Sequence, residues 1–370
     1  MSFPSLTIGD SVARIPIVQG GMGVGISLHR LAAAVAAEGG IGVIAAAMIG
    51  MREPDIAGNP IAANARALTS EIKKARELTD GVIGVNIMVV MTDFVSLVRT
   101  AIAERADVIF SGAGLPTDLP RILRGMCDER KEEFRTCLVP IVSSARAAGI
   151  LCKKWLSRSA YLPDAFVVEG PKAGGHLGYK AEELDNPANA LETIVPEVID
   201  AVKKFEDQAG RRIPVIAAGG VYTGEDIHRF LDMGAAGVQM GTRFVATEEC
   251  DADIRFKQAY VEAGEDDIAI IKSPVGMPGR AIRGRFIDAL EEGRRNFRCL
   301  FHCISTCNPE KSPYCIAAAL FNAMKGNLER GFAFSGSNVF RVDGITTVKE
   351  LINSLQKEFD AAVGRFKANS

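Results

Sequence analysis

The chain has 370 residues, of which 48% are hydrophobic, 24% charged and 6% aromatic. These are the proportions of a globular protein, and they exclude a disordered, collagen-like or membrane-embedded chain. Lys and Arg number 43 against 45 Asp and Glu, a formal charge of −2, so no basic excess marks a nucleic-acid binder.

The start, Met1 to Asp10, has neither the basic nor the apolar region of a secretory signal. Short, fully apolar runs then alternate with helical stretches. Arg14–Met22, Ile41–Ala46, Val82–Val90, Ala106–Ser111, Cys137–Val142, Ala165–Glu169, Ile213–Ala218 and Ala236–Gly241 each read as a strand buried on both faces. Such strands belong to parallel sheets covered by helices. Between them, Leu28–Glu38 is Ala-rich, and Pro60–Leu78 has apolar residues three and four apart with Lys and Arg between. Ala190–Phe205 and Gly224–Asp232 read as helices too. The most apolar segment, Gly39–Ile49, is 11 residues long, too short to span a bilayer.

Eight strand-like runs predict an α/β fold of the closed (β/α)₈ barrel kind, because an open doubly wound sheet usually has fewer strands. The early glycines Gly20, Gly21, Gly23 and Gly25 do not keep the spacing of a dinucleotide-binding turn. After Gly241 the pattern changes. Residues 250–340 mix helices with a Pro- and Cys-bearing stretch and contain no evident strand pair. Thr346–Lys367 reads as one amphipathic helix, with Val348, Leu351, Ile352, Leu355, Phe359 and Val363 on one face. The predicted organisation is a barrel over 1–290 and a helical, Cys-containing extension over 291–370 packed on it.

Three glycine clusters fall at the carboxyl ends of predicted strands, where barrel enzymes carry their chemistry. Glu169 to Gly178 follows the sixth strand and contains Lys172, Gly174, Gly175 and His176. Paired glycines let the backbone approach a planar or anionic ligand, and the imidazole can move a proton near neutral pH. Ala217-Ala218-Gly219-Gly220 follows the seventh strand, and Gly241-Thr242-Arg243 the eighth. Loops at these two positions commonly form a phosphate site from backbone N–H groups and a helix N-terminus. Thr242 adds a hydroxyl, and Arg243 can neutralise phosphate charge. Gln19-Gly20-Gly21-Met22-Gly23 follows the first strand, and Asn86 ends near the third. Their structural alternatives are tight turns and a turn-forming Asn.

Together Gln19–Gly23, Gly84-Val85-Asn86, Lys172–Gly178, Ala217–Gly220 and Met240–Phe244 resemble the nitronate monooxygenase (2-nitropropane dioxygenase) family of FMN enzymes. That family includes flavin-dependent enoyl-acyl-carrier-protein reductases. The similarity runs from about residue 10 to 290. It implies FMN at the carboxyl face of the barrel and His176 as catalytic acid/base. It places phosphate contacts at Gly219, Gly220, Gly241 and Thr242, with Gly174 and Gly175 in the glycine motif. Flavin-edge positions fall on Gly21, Met22, Asn86 and Lys172. Lys172 is a departure, standing where many nitronate oxidisers have Glu. The stretch 295–340 also departs, although Gly331–Val339 can supply the late glycine segment that relatives place near the flavin.

That stretch holds Cys299, Cys303, Cys307 and Cys315, four of the eight cysteines within 17 residues. Without a secretory context, reduced thiols or metal ligands are expected before disulfides. Spacing of four places the first three on one helical face until Pro309. The readings are free packed thiols, an iron–sulfur cluster or zinc, and the C-x3-C-x3-C-x7-C spacing matches neither common metal pattern.

The expected activity is FMN-dependent oxidation of an alkyl nitronate or similar carbon acid with O₂. The alternative is NAD(P)H-dependent reduction of an enoyl thioester on the same flavin. A phosphate-ligand barrel enzyme without redox chemistry, such as an isomerase, is a third reading. A small-molecule substrate and a cytoplasmic location are expected, with no nucleic-acid or membrane partner. Oligomeric state, a homodimer included, is left open.

Overall fold

The computed structural model describes residues 3–293 and 297–369. Residues 294–296, at the start of the expected extension, and the extreme termini lie outside the described residues.

Each of the eight apolar runs holds most or all of a strand. They are β1 (Ile17–Gln19), β2 (Gly42–Ala45), β3 (Ile83–Met88), β4 (Val108–Gly112), β5 (Cys137–Val142), β6 (Phe166–Glu169), β7 (Val215–Ala218) and β8 (Gly237–Met240). Neighbours pair in parallel, from β2 through β8, and β8 then pairs with β1. The barrel closes where Ile41 N donates to Ile17 O at 2.9 Å and Gln19 N donates to Ile41 O at 2.9 Å. Closure explains the apolar runs: one face of each strand fills the barrel and the other meets the helices.

Two cores result. Val18, Val43, Phe110, Val139, Val167 and Ile216 fill the barrel interior. An amino-terminal hairpin, Leu6–Ile8 with Ser11–Ala13, contributes Leu6 and Ile8 to the same cluster and so plugs one end. The second core lies between the strands and helices α1 (His29–Ala37), α2 (Pro60–Leu78), α3 (Phe94–Ala103), α4 (Leu119–Arg130), α5 (Ala145–Ser159), α6 (Leu191–Ala209) and α7 (Gly224–Asp232). Local chemistry starts several of these helices. Asn59 caps α2 ahead of Pro60, and the Thr223 hydroxyl and Asp226 carboxylate cap each other's backbone at α7.

After β8 come α8 (Thr242–Val245), α9 (Ile254–Glu262), α10 (Arg285–Glu291), α11 (Ile316–Met324) and α12 (Val348–Asn369). The last helix buries Val348, Leu351, Ile352, Leu355 and Phe359 as its periodicity predicts, largely against α7. Side chains of this region, including Ile304, Tyr314, Phe332 and Leu355, belong to the same core as the barrel helices.

Two expectations fail here. Residues 250–340 do contain a strand pair: β9 (Ile268–Lys272) runs antiparallel to β10 (Pro278–Ile282), which also pairs with Gly175 and His176. Pro278, Gly279 and Arg280 hide that second strand from propensity rules. Cys299, Cys303 and Cys307 lie on no helix, because residues 297–315 are irregular. Instead the segment lies across the loop after β3: Thr92 N donates to Cys303 O and Ser305 N to Val90 O. Among the described residues, no helix is long and apolar enough to cross a membrane.

Candidate active site

A cavity of about 550 Å³ opens at the carboxyl end of the barrel. All four loop clusters reach it. Gly21 and Met22 come from the turn after β1, and Asn86 from β3. A Cβ on Gly21 would strike the Asn86 side chain, so this turn lies directly on that amide. Lys172, Gly174, Gly175 and His176 line the wall after β6.

Gly219 and Gly220 follow β7 with φ of +91° and +100°, a conformation that L side chains rarely adopt. A Cβ on Gly219 would also come within 2.8 Å of the Gly170 carbonyl oxygen. Gly241 and Thr242 complete the rim after β8, where α8 is a single turn. Arg243 is not part of the wall. It donates to the Tyr222 carbonyl at 3.1 Å and lies over the Tyr222 ring.

The late segment Ser335–Asn338 binds these loops together. Gly336 N donates to Thr242 Oγ1 at 3.1 Å, Ser337 N to the Lys172 carbonyl at 3.1 Å, and Asn338 Nδ2 to the Gly220 carbonyl at 2.8 Å. The Ser335 and Ser337 hydroxyls are buried and lack a hydrogen-bond partner among the described residues. Such orphaned groups cost about 1–3 kcal/mol each unless a ligand or water takes them. Sequence reasoning reached this segment only through its glycines and did not single out the serines.

His176 is held from β9 and β10. The Gly175–His176 pair hydrogen-bonds to β10, and Arg280 of that strand donates from Nη1 to the Pro171 and Ala173 carbonyls at 2.6 and 2.7 Å. The His176 Nε2 atom sits 2.7 Å from Ser273 Oγ, and Val275 N donates to that same oxygen at 3.2 Å. Ser273 is buried, and no other described group takes its proton. Ser273 Oγ and His176 Nε2 thus share one hydrogen bond, in which the ring tautomer sets which atom donates. Burial, edge-on to Phe334, lowers His176 to about 4, so the imidazole is neutral at pH 7.

Glu169, the last residue of β6, faces the same cavity. Its carboxylate makes no hydrogen bond or ion pair among the described residues, and burial raises it to about 7. It stood at the head of the glycine cluster in the sequence, but nothing local marked its side chain as unpartnered.

The four clustered cysteines do not share a helical face, although Cys303 and Cys315 lie within electrostatic reach of each other and of Cys299 and Cys307. All are free, and no group of three or more His, Cys, Asp or Glu side chains among the described residues is arranged to hold a metal. Without the helix, spacing of four no longer aligns them. Cys303 lines the cavity beside Ile304, and Cys303 and Cys315 pack against Val24, Met48 and Ala317 as small apolar residues. Burial holds the Cys303 thiol up at about 12.

A family model described as nitronate monooxygenase matches residues 6–105 and 90–358. The chain is 32% identical over 280 residues to a Mycobacterium tuberculosis protein named (3aS,4S,5R,7aS)-5-hydroxy-7a-methyl-1-oxo-octahydro-1H-indene-4-carboxyl-CoA dehydrogenase, covering 76% of this chain and 66% of that one. It thus spans just under two thirds of that relative's length. A probable nitronate monooxygenase of Staphylococcus aureus is 27% identical over 299 residues, covering 75% of this chain and 78% of that one. Among solved structures, FabK from Thermotoga maritima superposes with a TM-score of 0.73 at 30% identity, covering 96% of each chain.

Proposed function

The chain belongs to the nitronate monooxygenase family, and on that premise we propose that it is an FMN-dependent oxidoreductase acting on an alkyl nitronate or similar carbon acid, with O₂ taking the electrons. The observation that carries this reading is the cradle between Gly219, Gly220, Thr242 and the orphaned hydroxyls of Ser335 and Ser337. It fits a phosphate: the glycines leave the backbone bare, and two buried hydroxyls await an acceptor. Gly21, Met22 and Asn86 would border the ring, and Lys172 would cover it beside Gly220. Bound flavin would supply two-electron redox chemistry. The chain's own residues orient the substrate, exclude water through the apolar wall of Val24, Met48, Met91 and Ile304, and present His176 from the β6 side. Eight free thiols suit a reducing compartment such as the cytoplasm.

A second reading is NAD(P)H-dependent reduction of an enoyl thioester in the same cavity. One observation favours it: the CoA-ester name of the M. tuberculosis relative.

The test begins with colour. Purified protein should be yellow with bound FMN, and Gly219→Val should be colourless, because the branched side chain is strained at φ +91° and runs into the Gly170 and Ala173 backbone beneath the cradle, displacing the loop. Full flavin occupancy in that variant would refute the placement. Oxygen uptake with ethylnitronate, set against NADH consumption with an enoyl thioester, separates the two reactions.

A further inference from the structure

We propose that Cys299, Cys303, Cys307 and Cys315 hold an iron–sulfur cluster in the wall of this cavity. The site stands on the cysteines and their surroundings, whereas its use, exchanging electrons with the ring, rests on the oxidoreductase reading above.

The segment that carries them is unusual for a compact chain. Residues 297–315 form neither helix nor strand, apart from one isolated bridge between Ile304 and Met91. Loops of this length without structure of their own are uncommon, and most that occur are functional. This one is nonetheless tied to two loops that build the cavity. Ser305 N donates to the Val90 carbonyl at 2.8 Å, Thr92 N to the Cys303 carbonyl at 3.2 Å, and Thr306 Oγ1 to the Val275 carbonyl at 3.0 Å. Val90 and Thr92 follow β3, and Val275 lies between β9 and β10. Arg298, His302, Ser305, Thr306 and Asn308 are exposed, whereas all four cysteines are half-buried.

The thiols also converge. Cys303 and Cys315 pack on one small apolar cluster, Val24, Met48 and Ala317. Cys299 and Cys307 lie within electrostatic reach of both. Cys315 is the N-cap of α11, where the first-turn amides of Ala317 and Ala318 offset part of the burial cost of its thiolate. Apolar packing accounts for Cys303, Cys307 and Cys315, but Cys299 joins no apolar cluster among the described residues.

Four thiolates suit either zinc or an iron–sulfur cluster, and their spread decides between the two. One tetrahedral zinc holds its sulfurs about 3.8 Å apart, given metal–sulfur bonds of about 2.3 Å. Among the described residues no three such side chains are arranged around a single ion. In a cluster the cysteines bind different iron atoms, so the same four thiols stand further apart. An irregular backbone meets that spread without the spacing of a common motif.

Cys303 lines the cavity beside Ile304, so the cluster would share a wall with the ring. A cluster gains or loses one electron with no bond made or broken, and FMN takes two. Together they can accept electrons singly from a one-electron carrier protein and deliver them to a substrate as a pair, the protons coming from solvent.

Protein purified anaerobically and reconstituted with ferrous iron and sulfide should hold about two or four iron atoms and as many acid-labile sulfides per chain. Dithionite titration of this holoenzyme should consume about three electron equivalents per chain, two for FMN and one for the cluster, and the reduced form should give a low-temperature electron paramagnetic resonance signal. Cys299→Ser and Cys307→Ser should each lose most of the iron, while Cys127→Ser, on α4, should keep it. Iron below about a tenth of an atom per chain in reconstituted wild type, with every thiol titratable after unfolding, would overturn the proposal even if the variants fail to fold. Stoichiometric zinc in place of iron would overturn it as well. Iron and sulfide without FMN would uphold the site and defeat the oxidoreductase reading, and FMN without iron would do the reverse.

Discussion

Glu169 and His176 share one cavity, and burial moves them in opposite directions. Folded Glu169 keeps its proton up to about 7 against an ordinary 4.5, so between these values the folded state binds the extra proton and stability falls as pH rises. Folded His176 loses its proton near 4 against an ordinary 6.5, so there the unfolded state binds more and stability rises with pH. From pH 4.5 to 6.5 the two slopes oppose one another, which flattens the wild-type profile. Glu169→Gln removes one of them. At 1.36 kcal/mol per pKa unit, the variant should be more stable than wild type at pH 8 by at most about 3 kcal/mol, with the difference vanishing toward pH 4. Urea unfolding of flavin-free protein across this range checks it, and a difference independent of pH would mean that Glu169 titrates normally.

Among the elements, the docking of α12 on α7 depends on one close approach. Gly224 opens α7 where the α12 backbone passes, its N–H donates to Glu358 Oε2 at 2.7 Å, and a Cβ there would run into the Leu355 carbonyl oxygen. Gly224→Ala should therefore push α12 outward and destabilise the protein by about 1–3 kcal/mol, the usual cost of overpacking. Glu358→Gln, which keeps an amide oxygen to accept the same hydrogen bond, should cost about 1 kcal/mol or less. Denaturant unfolding and hydrogen exchange over α12 measure both, and equal losses would locate the constraint in charge rather than space. The β9–β10 hairpin works in the same way, as a brace: through Arg280 and Ser273 it holds the loop that carries His176.

For the whole molecule, the residues beyond the barrel are part of its stability and of its site. Val348, Leu351, Ile352, Leu355 and Phe359 are buried on α12. At roughly 1.5–3 kcal/mol for each buried side chain, their loss approaches the 5–15 kcal/mol that holds a typical protein together. A chain ending at residue 345 should be insoluble or molten and colourless, although every barrel strand and the Ser335–Asn338 segment remain. Solubility, near-ultraviolet circular dichroism and flavin content test this, and a soluble yellow truncation would make α12 an accessory.

The periodicity of the sequence determined the barrel and its carboxyl face. Eight apolar runs each yielded a strand, α2 and α7 occupy Pro60–Leu78 and Gly224–Asp232 as read, and the glycine loops after β1, β6, β7 and β8 meet at one cavity. These features are legible because burial on both faces, helical spacing and glycine turns are written within about ten residues. Only the tertiary structure decided which side chains find partners. Ser273 meets His176 across 97 residues and Gly336 meets Thr242 across 94. Arg243 turns to Tyr222, the clustered cysteines lie on an irregular segment instead of a helix, and Glu169 meets no partner at all among the described residues. Such pairings depend on where distant elements come to rest, and no local pattern records them.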